Sequence, residues 1–529
     1  MSDAAMAQPG RNNAFHQVEP KKAQYATHDL SHTKHLTADM GKIIPVCLLE
    51  ALPGDVFDIG AEMLIRTQPL LAPVLDTAKA TIHFFFAPMR LMWPKIDTSG
   101  NNWETFITGG QDGLAAPVKP TWNVSSGKHG EGSLWDYFGL PTWATANNFT
   151  TAYPDAIVPS ALPLRMYNIV MNEYYRDENL QTELAMTNED LFNRNWTKDY
   201  FTSAMTSQQR GTSPALPITG SSSAIWNAST FPAAALPATA VGLMATTGAA
   251  TIGNNAGNAA NANLLTAFNS NQVNLTNAQT VNISQLRLAI ATQQLLEKTM
   301  VGGARYTEYL QAIYDVHPRD DTLQRPQYIG GTMQPVIFSE VLQTSSATAQ
   351  PTPQGNMAGH GISVGQNHVG KYRCLEFGYI MGFLSIMPEP SYSQGIPKMW
   401  SRATRYEHFN PYFIPLSEQP VRNQEIYLAG DGLNQTTFGY QAIYNELRYE
   451  RSTVHGALRS TLDYWTLTRK FAARPSLNSA FVQLTDAEVT TLKRVTPVTS
   501  QPWLILQIGN LIRIQRPLPA FGTPGLRSL

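Results

Sequence analysis

Short apolar runs separated by Pro and Gly turns constrain this chain more than any other feature. Residues 43–49 form such a run, the turn Pro53-Gly54-Asp55 follows, and Val56, Phe57 and Ile59 are apolar again. Residues 80–88 contain Phe84-Phe85-Phe86. Short β-branched and aromatic runs bounded by turn residues are typical of strands. The pattern predicts a mainly β protein, either a sandwich or a jelly roll of antiparallel strands.

A few segments depart from this pattern. Apolar residues in 163–180 recur at helical intervals, with Pro163 suited to a first turn. Ser284 can cap a helix that runs through Met300 and ends at Gly302-Gly303, and 304–314 predicts another helix. The region 95–158, rich in Gly, Trp, Pro and Thr, predicts a long loop. Further strands are predicted at 372–386, 425–428 and 438–448.

Residues 211–286 contain no Asp, Glu, Lys, Arg or His. Asn, Thr and Pro interrupt every apolar run, which excludes a membrane helix. Its many amides could not all be satisfied in a core. We interpret this stretch as an insertion that projects from the domain and packs on copies of itself. A flexible linker is the alternative.

The amino-acid composition of the chain indicates a subunit that buries much of its surface in an assembly. Charged residues make up 15% of the chain, against roughly 25% in an average domain, and it has 21 Tyr, 21 Phe, 10 Trp and 17 Met. Interface cores are depleted in charge and enriched in these residue types, although a large aromatic-rich domain is the alternative.

A net charge of −1 is unusual for a protein that coats nucleic acid alone. Cys47 and Cys374 are expected to be buried, reduced thiols, and no signal peptide or membrane span is expected.

Motifs for catalysis are weakly supported. Residues 361–365 read Gly-Ile-Ser-Val-Gly, but no helix is predicted after Ser363, as a hydrolase elbow requires. His28, His32 and His35 lack the further ligands of a typical metal site. Arginines among the aromatic residues of 402–459 alternate with glutamates. That pattern favours ion pairs over stacking with single-stranded nucleic acid.

Several blocks together are more specific than any of these motifs. Ile43-Ile44-Pro45-Val46 precedes Glu50-Ala51-Leu52-Pro53-Gly54-Asp55, and residues 84–93 read FFFAPMRLMW. Further blocks lie at 304–306, 325–331, 340–344, 354–361, 438–441 and 516–526. This set resembles the major capsid proteins of gokushovirus-like microviruses along nearly the whole chain.

The resemblance implies an eight-stranded antiparallel jelly roll with long loop insertions and a few helices. It implies self-assembly into an icosahedral shell around circular single-stranded DNA, with no enzymatic activity and no cofactor. The implied partners are a small basic DNA-binding virion protein and a host surface receptor. The implied location is the virion, assembled in host cytoplasm.

Two regions receive roles by this resemblance. Residues 1–42 are expected to form an extended arm inside the shell, where Lys21, Lys22 and Lys34 could contact DNA, and 43–529 the jelly-roll domain. The uncharged insertion 211–286 is the candidate for a protrusion at the threefold axes, with Trp226, Phe231 and Phe268 facing the host or the axis. The rival interpretations are a spike or fibre subunit and a carbohydrate-binding or hydrolytic β-protein.

Overall fold

The structure is a computed structural model, and it divides the chain into two compact units. The larger is Met1–Gln208 with Gly302–Leu529, and the smaller is Gln209–Val301. The described residues are 24–95, 101–109, 114–125, 127–142, 159–212, 245–246, 249–250, 283–302, 306–315, 317, 319–342 and 357–521.

The larger unit is built mainly from strands. Residues predicted as strands at 43–49, 56–59 and 80–88 lie in strands that extend a few residues further. The strands are β1 Ala26–Asp29, β2 His32–Ala38, β3 Ile44–Ala51, β4 Val56–Thr67, β5 Ala78–Pro88, β8 Gln327–Leu342, β9 Met357–Arg373, β10 Gly378–Pro388, β11 Glu418–Arg422, β12 Thr437–Ala442 and β13 Leu504–Arg516. In the smaller unit, β6 Ala245–Thr246 pairs with β7 Ala249–Ala250.

Antiparallel pairing arranges most of these strands in two sheets. One has the order β2-β13-β4-β9, with β1 also paired to β13, and the other has the order β3-β10-β5-β8. The end of β8 leaves β5 and pairs with β9, which joins the two sheets. From β2 onward, successive strands of the two sheets change sheet except at β5 and β8, which are neighbours. This is the connectivity of a jelly roll, so the predicted fold class is confirmed.

Alternation along the strands fills the space between the sheets. In β4, Phe57, Ile59 and Met63 are fully buried, whereas Glu62 and Arg66 are exposed. Phe84 of β5 and Ile508 of β13 belong to the same core cluster. Burying each such side chain stabilises the fold by about 1.5–3 kcal/mol. Cys47 and Cys374 are buried free thiols, as predicted.

The predicted turn at Pro53-Gly54-Asp55 links the two sheets. Gly54 has φ +96°, a conformation that favours glycine. The Asp55 carboxylate is fully buried, accepts a hydrogen bond from the Leu52 N–H at 2.8 Å and pairs with Arg516 at 2.8 Å. The ion pair thereby fastens this corner to the end of β13.

Helices occupy the connections between strands. Pro163 lies in the first turn of the helix Leu162–Val170, as predicted, and Thr485 caps the helix Asp486–Leu492 by accepting a hydrogen bond from the Glu488 N–H. The helices are α1 Met89–Met92, α2 Trp103–Thr108, α3 Leu134–Tyr137, α4 Leu162–Val170, α5 Ile283–Gly302, α6 Tyr306–Tyr314, α7 Asn423–Ile426, α8 Ser479–Val482 and α9 Asp486–Leu492. A π-helical turn, Met171–Tyr175, continues α4.

Several local predictions differ from the structure. The predicted strand 438–448 ends at Ala442 and is followed by the 3-10 turn Asn445–Leu447, and Ser284 lies within the helix Ile283–Gly302 and does not precede it. Residues 26–38, assigned to the arm 1–42, form β1 and β2 and pair with β13, so the sheet begins before residue 43. The predicted strand 372–386 is two strands, β9 and β10, separated at residues 374–377. The predicted strand 425–428 is wrong, because Glu425 caps the Arg422 N–H at 2.8 Å and starts the short helix α7.

A buried arginine lies between two core clusters of the larger unit, one with Trp196 and the other with Phe481. Arg469 is 1% exposed and pairs with Glu488 at 2.7 Å. Its guanidinium lies 4.6 Å from the ring centres of both Trp196 and Phe481, and it donates to the Phe481 carbonyl at 2.8 Å. Charge, hydrogen bonding and ring contact thus compensate for the loss of water.

We predict that Arg469→Leu lowers the free energy of unfolding by about 3–5 kcal/mol, because Glu488 keeps a buried charge without its partner. Urea unfolding of the unassembled chain measures the change. Arg405→Leu is the control, since Arg405 is exposed. Equal stability of the two variants would show that the buried pair contributes nothing.

Candidate assembly surface

The connection between β10 and β13 exposes a dense set of apolar side chains. We call seven of them the aromatic patch, and they range from 48% exposed at Ile414 to 89% at Tyr412. The members are Met399, Trp400, Tyr406, Phe409, Tyr412, Ile414 and Leu416. Exposed apolar patches of this kind mark sites of interaction.

Short 3-10 turns hold the patch in place: Lys398–Trp400, Arg405–Glu407 and Pro411–Leu416. Thr404 and Glu407 form a capping box around the second turn. The Asn410 side chain accepts a hydrogen bond from the Tyr412 N–H at 3.0 Å, and Pro411 begins the third turn. A backbone restrained by caps and prolines presents its side chains with less entropy left to lose on binding.

A half-buried cluster of charges lies beneath the first turn. Glu446 accepts a hydrogen bond from Arg402 at 3.1 Å and another from Gln419 at 2.5 Å, and Lys398 Nζ lies 3.9 Å from its carboxylate. The Glu446 side chain is 11% exposed and that of Arg402 12%. The patch is therefore attached to the fold through charge-assisted hydrogen bonds.

Electrostatics favour the ionised form of Glu446. Burial opposes ionisation, but Lys398 and the hydrogen bonds from Gln419 and Arg402 outweigh it, so the pKa of Glu446 lies below its ordinary value. Burial lowers the pKa of Lys398. Burial also raises the pKa of Glu425, which accepts a hydrogen bond from the Tyr200 hydroxyl at 3.0 Å.

Tyr444 is a second anchor of the patch. Its hydroxyl accepts a hydrogen bond from the Asn410 N–H at 3.0 Å, and its ring centre lies 5.0 Å from that of Phe409. Its backbone has φ +59°, in the left-handed region. Such a conformation costs about 1–3 kcal/mol in a residue other than glycine. The surrounding contacts hold it there and fix the position of Phe409.

The structure places Lys34, predicted to contact DNA, in β2 and turned into the protein. Its Nζ donates to the Pro45 carbonyl at 2.9 Å and to the Tyr137 carbonyl. Burial lowers its pKa to about 8. This ammonium serves the fold, and its contact with DNA stays a prediction.

The other predicted site residues lie outside the described residues. They are Lys21 and Lys22 of the arm and Trp226, Phe231 and Phe268 of the uncharged insertion. The roles given to them stay predictions.

The structure also places the Gly-x-Ser-x-Gly motif and two of the arginines that lie among aromatic residues. Residues 361–365, which carry Gly-x-Ser-x-Gly, lie within β9, and strand continues to Arg373 where an elbow would require a helix. Arg402 and Arg422 pair with Glu446 and Glu407, which confirms the ion-pair interpretation for them. In the described ranges, no cluster of metal-ligating residues is found. No described helix is long and apolar enough to cross a membrane.

Sequence reasoning missed the aromatic patch as a site. The segment 399–416 is rich in aromatic residues and proline, and the composition of the chain pointed to an interface. The same residues could equally have filled a core, as the phenylalanines of β5 do. Only the tertiary structure shows which aromatic side chains are covered.

The jelly roll, its long insertions and the apolar patch define a shell-forming protein of the viral capsid class. A family model described as a capsid protein, the F protein, matches residues 16–526. The chain belongs to this family.

Individual relatives agree with this assignment. The chain is 33% identical to capsid protein VP1 of Chlamydia phage 1, over 98% of both chains. It is 33% identical to capsid protein VP1 of Bdellovibrio phage phiMH2K, over 91% of this chain and 92% of the relative. Capsid protein VP1 of Spiroplasma virus 4 is 28% identical, over 98% and 99% of the two chains. The resemblance to microvirus major capsid proteins is confirmed.

We predict that Glu446→Gln lowers the free energy of unfolding by about 2–3 kcal/mol at pH 7, since Arg402 and Lys398 lose a charged acceptor. The folded state lowers the pKa of Glu446. Its contribution to stability is therefore present above the unfolded pKa and is lost as pH falls through the folded pKa.

Urea unfolding at a series of pH values tests this prediction. The difference between the wild type and Glu446→Gln should shrink as the solution becomes acidic. Glu62→Gln, at an exposed position of β4, is the control. A difference that is independent of pH would contradict the assigned ionisation of Glu446.

Proposed function

We propose that the chain self-assembles into an icosahedral shell that encloses a circular single-stranded DNA genome. The observation that carries this proposal is the aromatic patch, exposed on a backbone that caps, prolines and ion pairs restrain. Trp and Tyr dominate the binding energy of protein interfaces when a partner covers them. In a shell of identical subunits, the partner is a second copy of this chain.

The proposed shell protein has no enzymatic role, and association is its activity. Membership of the capsid family supports a structural role in the virion. Assembly in host cytoplasm accords with the two free thiols, whose pKa values burial raises to about 12. A thiol with so high a pKa is almost entirely protonated at neutral pH and reacts slowly with oxidants.

Contact with the genome is proposed to be shared with a small basic virion protein. A net charge of −1 argues against a coat that neutralises phosphates alone. Lys21 and Lys22, in the arm proposed to line the interior, remain candidates for direct contact. Lys34 is a weaker candidate, because two backbone carbonyls already accept its hydrogen bonds.

The uncharged insertion 211–286 is proposed to build a protrusion at the threefold axes and to contact a receptor on the host. It falls within the connection between β5 and β8, which carries the smaller unit Gln209–Val301. An insertion between two strands of the jelly roll can project without breaking either sheet.

We predict that Trp400→Ala with Tyr412→Ala lowers the yield of assembled particles at least tenfold. Two anchors each contributing about 1–2 kcal/mol per contact give at least that factor. The unassembled chain should keep its unfolding free energy, since both side chains are exposed, at 74% and 89%. Sedimentation and electron microscopy measure the particles.

Leu375→Ala is the matched control, because Leu375 is equally exposed, at 74%, but lies outside the patch. Normal particles from the double variant would contradict an assembly role for the patch. Elongated trimers from the wild type, in place of closed shells, would favour the spike or fibre interpretation.

A second variant tests the proposed role of the insertion. We predict that particles lacking residues 225–275 still assemble but adsorb to host cells at least tenfold less, because the proposed receptor contact is removed. Adsorption is measured as the loss of free particles after mixing with host cells. Unchanged adsorption by well-formed particles would contradict the proposed host contact.

A further inference from the structure

Asp431 and Gly432 form an Asp-Gly pair in the exposed loop between α7 and β12. Gly432 has φ +76°, and no described atom lies within 4 Å of the position that a Cβ atom would take. Its N–H donates to no acceptor in the part of the chain that the structure describes. The backbone nitrogen that follows Asp431 is therefore uncrowded and free of other hydrogen bonds.

An Asp-Gly pair can rearrange without an enzyme. The glycine nitrogen attacks Cγ of the aspartic acid, a new C–N bond closes a succinimide ring, and the carboxyl hydroxyl leaves with the amide proton as water. One water then opens the ring at the α-carbonyl and gives isoaspartate, whose backbone runs through Cγ. No oxidant or reductant takes part. The reacting form is the protonated carboxyl, because a carboxylate has no hydroxyl to release.

Arg474 holds the Asp431 side chain in the ionised form. Nε of Arg474 donates to Oδ2 of Asp431 at 3.0 Å, and Nη2 donates to Oδ1. The Leu433 N–H also donates to Oδ1, at 3.0 Å, which closes an Asx turn. The hydrogen bonds from Arg474 and Leu433 lower the pKa of Asp431, because they favour the carboxylate over the acid. They thereby reduce the fraction of Asp431 that can react.

The loop also fixes the guanidinium of Arg474. The Arg474 side chain is 13% exposed, against 40% for Asp431. Its Nη2 donates to Oδ1 of Asn434 at 2.9 Å, and its Nη1 donates to the Leu433 carbonyl at 3.4 Å. The same loop therefore holds both partners of the ion pair, which reduces the entropy that an exposed pair usually loses.

We propose that Asp431 is a site of spontaneous isomerisation to isoaspartate and that its pair with Arg474 sets the rate. Arg474 is a positioning residue, because it forms and breaks no covalent bond in the reaction. Isoaspartate would lengthen the loop backbone by one atom and move the carboxylate away from its present position. The proposal does not depend on the proposed function, because it rests on this loop alone.

Prolonged incubation of the purified full-length chain at neutral pH tests the proposal. Peptide mapping by liquid chromatography and electron-transfer mass spectrometry measures isoaspartate at position 431 against a synthetic standard. We expect Arg474→Gln to form isoaspartate about three to five times faster than the wild type, as the loss of one exposed charge pair predicts. Arg405→Gln, which removes an exposed arginine elsewhere, should match the wild type.

The second Asp-Gly pair of the sequence, at 112–113, is an internal reference outside the described residues. Its isomerisation should be equally fast in the wild type and in Arg474→Gln, whereas general unfolding would accelerate both pairs. A pH series separates ionisation from loosening of the loop. The ratio of the two rates at position 431 should shrink as pH falls through the carboxyl pKa of Arg474→Gln, because Asp431 becomes protonated in both proteins.

The proposal is overturned if position 431 forms no isoaspartate or forms it equally fast in the wild type and Arg474→Gln. Acceleration at both Asp-Gly pairs, or a ratio that is the same at every pH, would also overturn it. Closed shells would still form in each of these cases, so the proposed function would stand.

Discussion

Mutual burial of two sheet faces is the constraint on which the rest of this structure depends. Neither β2-β13-β4-β9 nor β3-β10-β5-β8 can remain in water with Phe57, Phe84 and Ile508 on its inner face. The connections between strands add to this core, since Trp196, Leu467 and Leu484 belong to the same cluster. The connections between β5 and β8 and between β10 and β13 can be long and can have roles other than holding the two sheets together. The fold separates a stable interior from connections that expose side chains such as Trp400 and Tyr412.

The charges beneath the aromatic patch serve geometry more than stability. Removing Glu446, Arg402 and Lys398 from water costs much of what their attraction returns, so the cluster adds little net free energy. It does fix where the turn Lys398–Trp400 leaves the fold. The strained backbone of Tyr444 acts in the same way. A shell needs contact surfaces whose position is the same in every copy, and restrained turns provide this.

Alternation and turn residues act locally, so they predicted several strands and a sandwich or jelly roll, and the family resemblance then implied the jelly roll. Phe84-Phe85-Phe86 and the turn at Gly54 show this well. Prediction was wrong at 425–428, where the hydrogen bond that the Glu425 carboxylate accepts from the Arg422 N–H outweighs an apolar pattern. It also missed the pairing of His32–Ala38 with β13, which joins residues far apart in the chain. The aromatic patch could not be predicted for the same reason, because the exposure of a side chain depends on its packing against residues far away in the chain.

The placement of charge explains how such a chain can associate without strong electrostatic attraction. Only 15% of its residues are charged, and several of these are used inside the fold, as in Arg516–Asp55, Arg469–Glu488 and Arg402–Glu446. Because these paired charges lie inside the fold, fewer charges remain on the surface. The desolvation penalty when another copy covers that surface is therefore lower. In the proposed shell, Trp400 and Tyr412 would then lose water on contact with little opposing cost. The low net charge also lets identical copies approach without long-range repulsion. Burying ion pairs and exposing aromatic rings are therefore two parts of one solution to self-association.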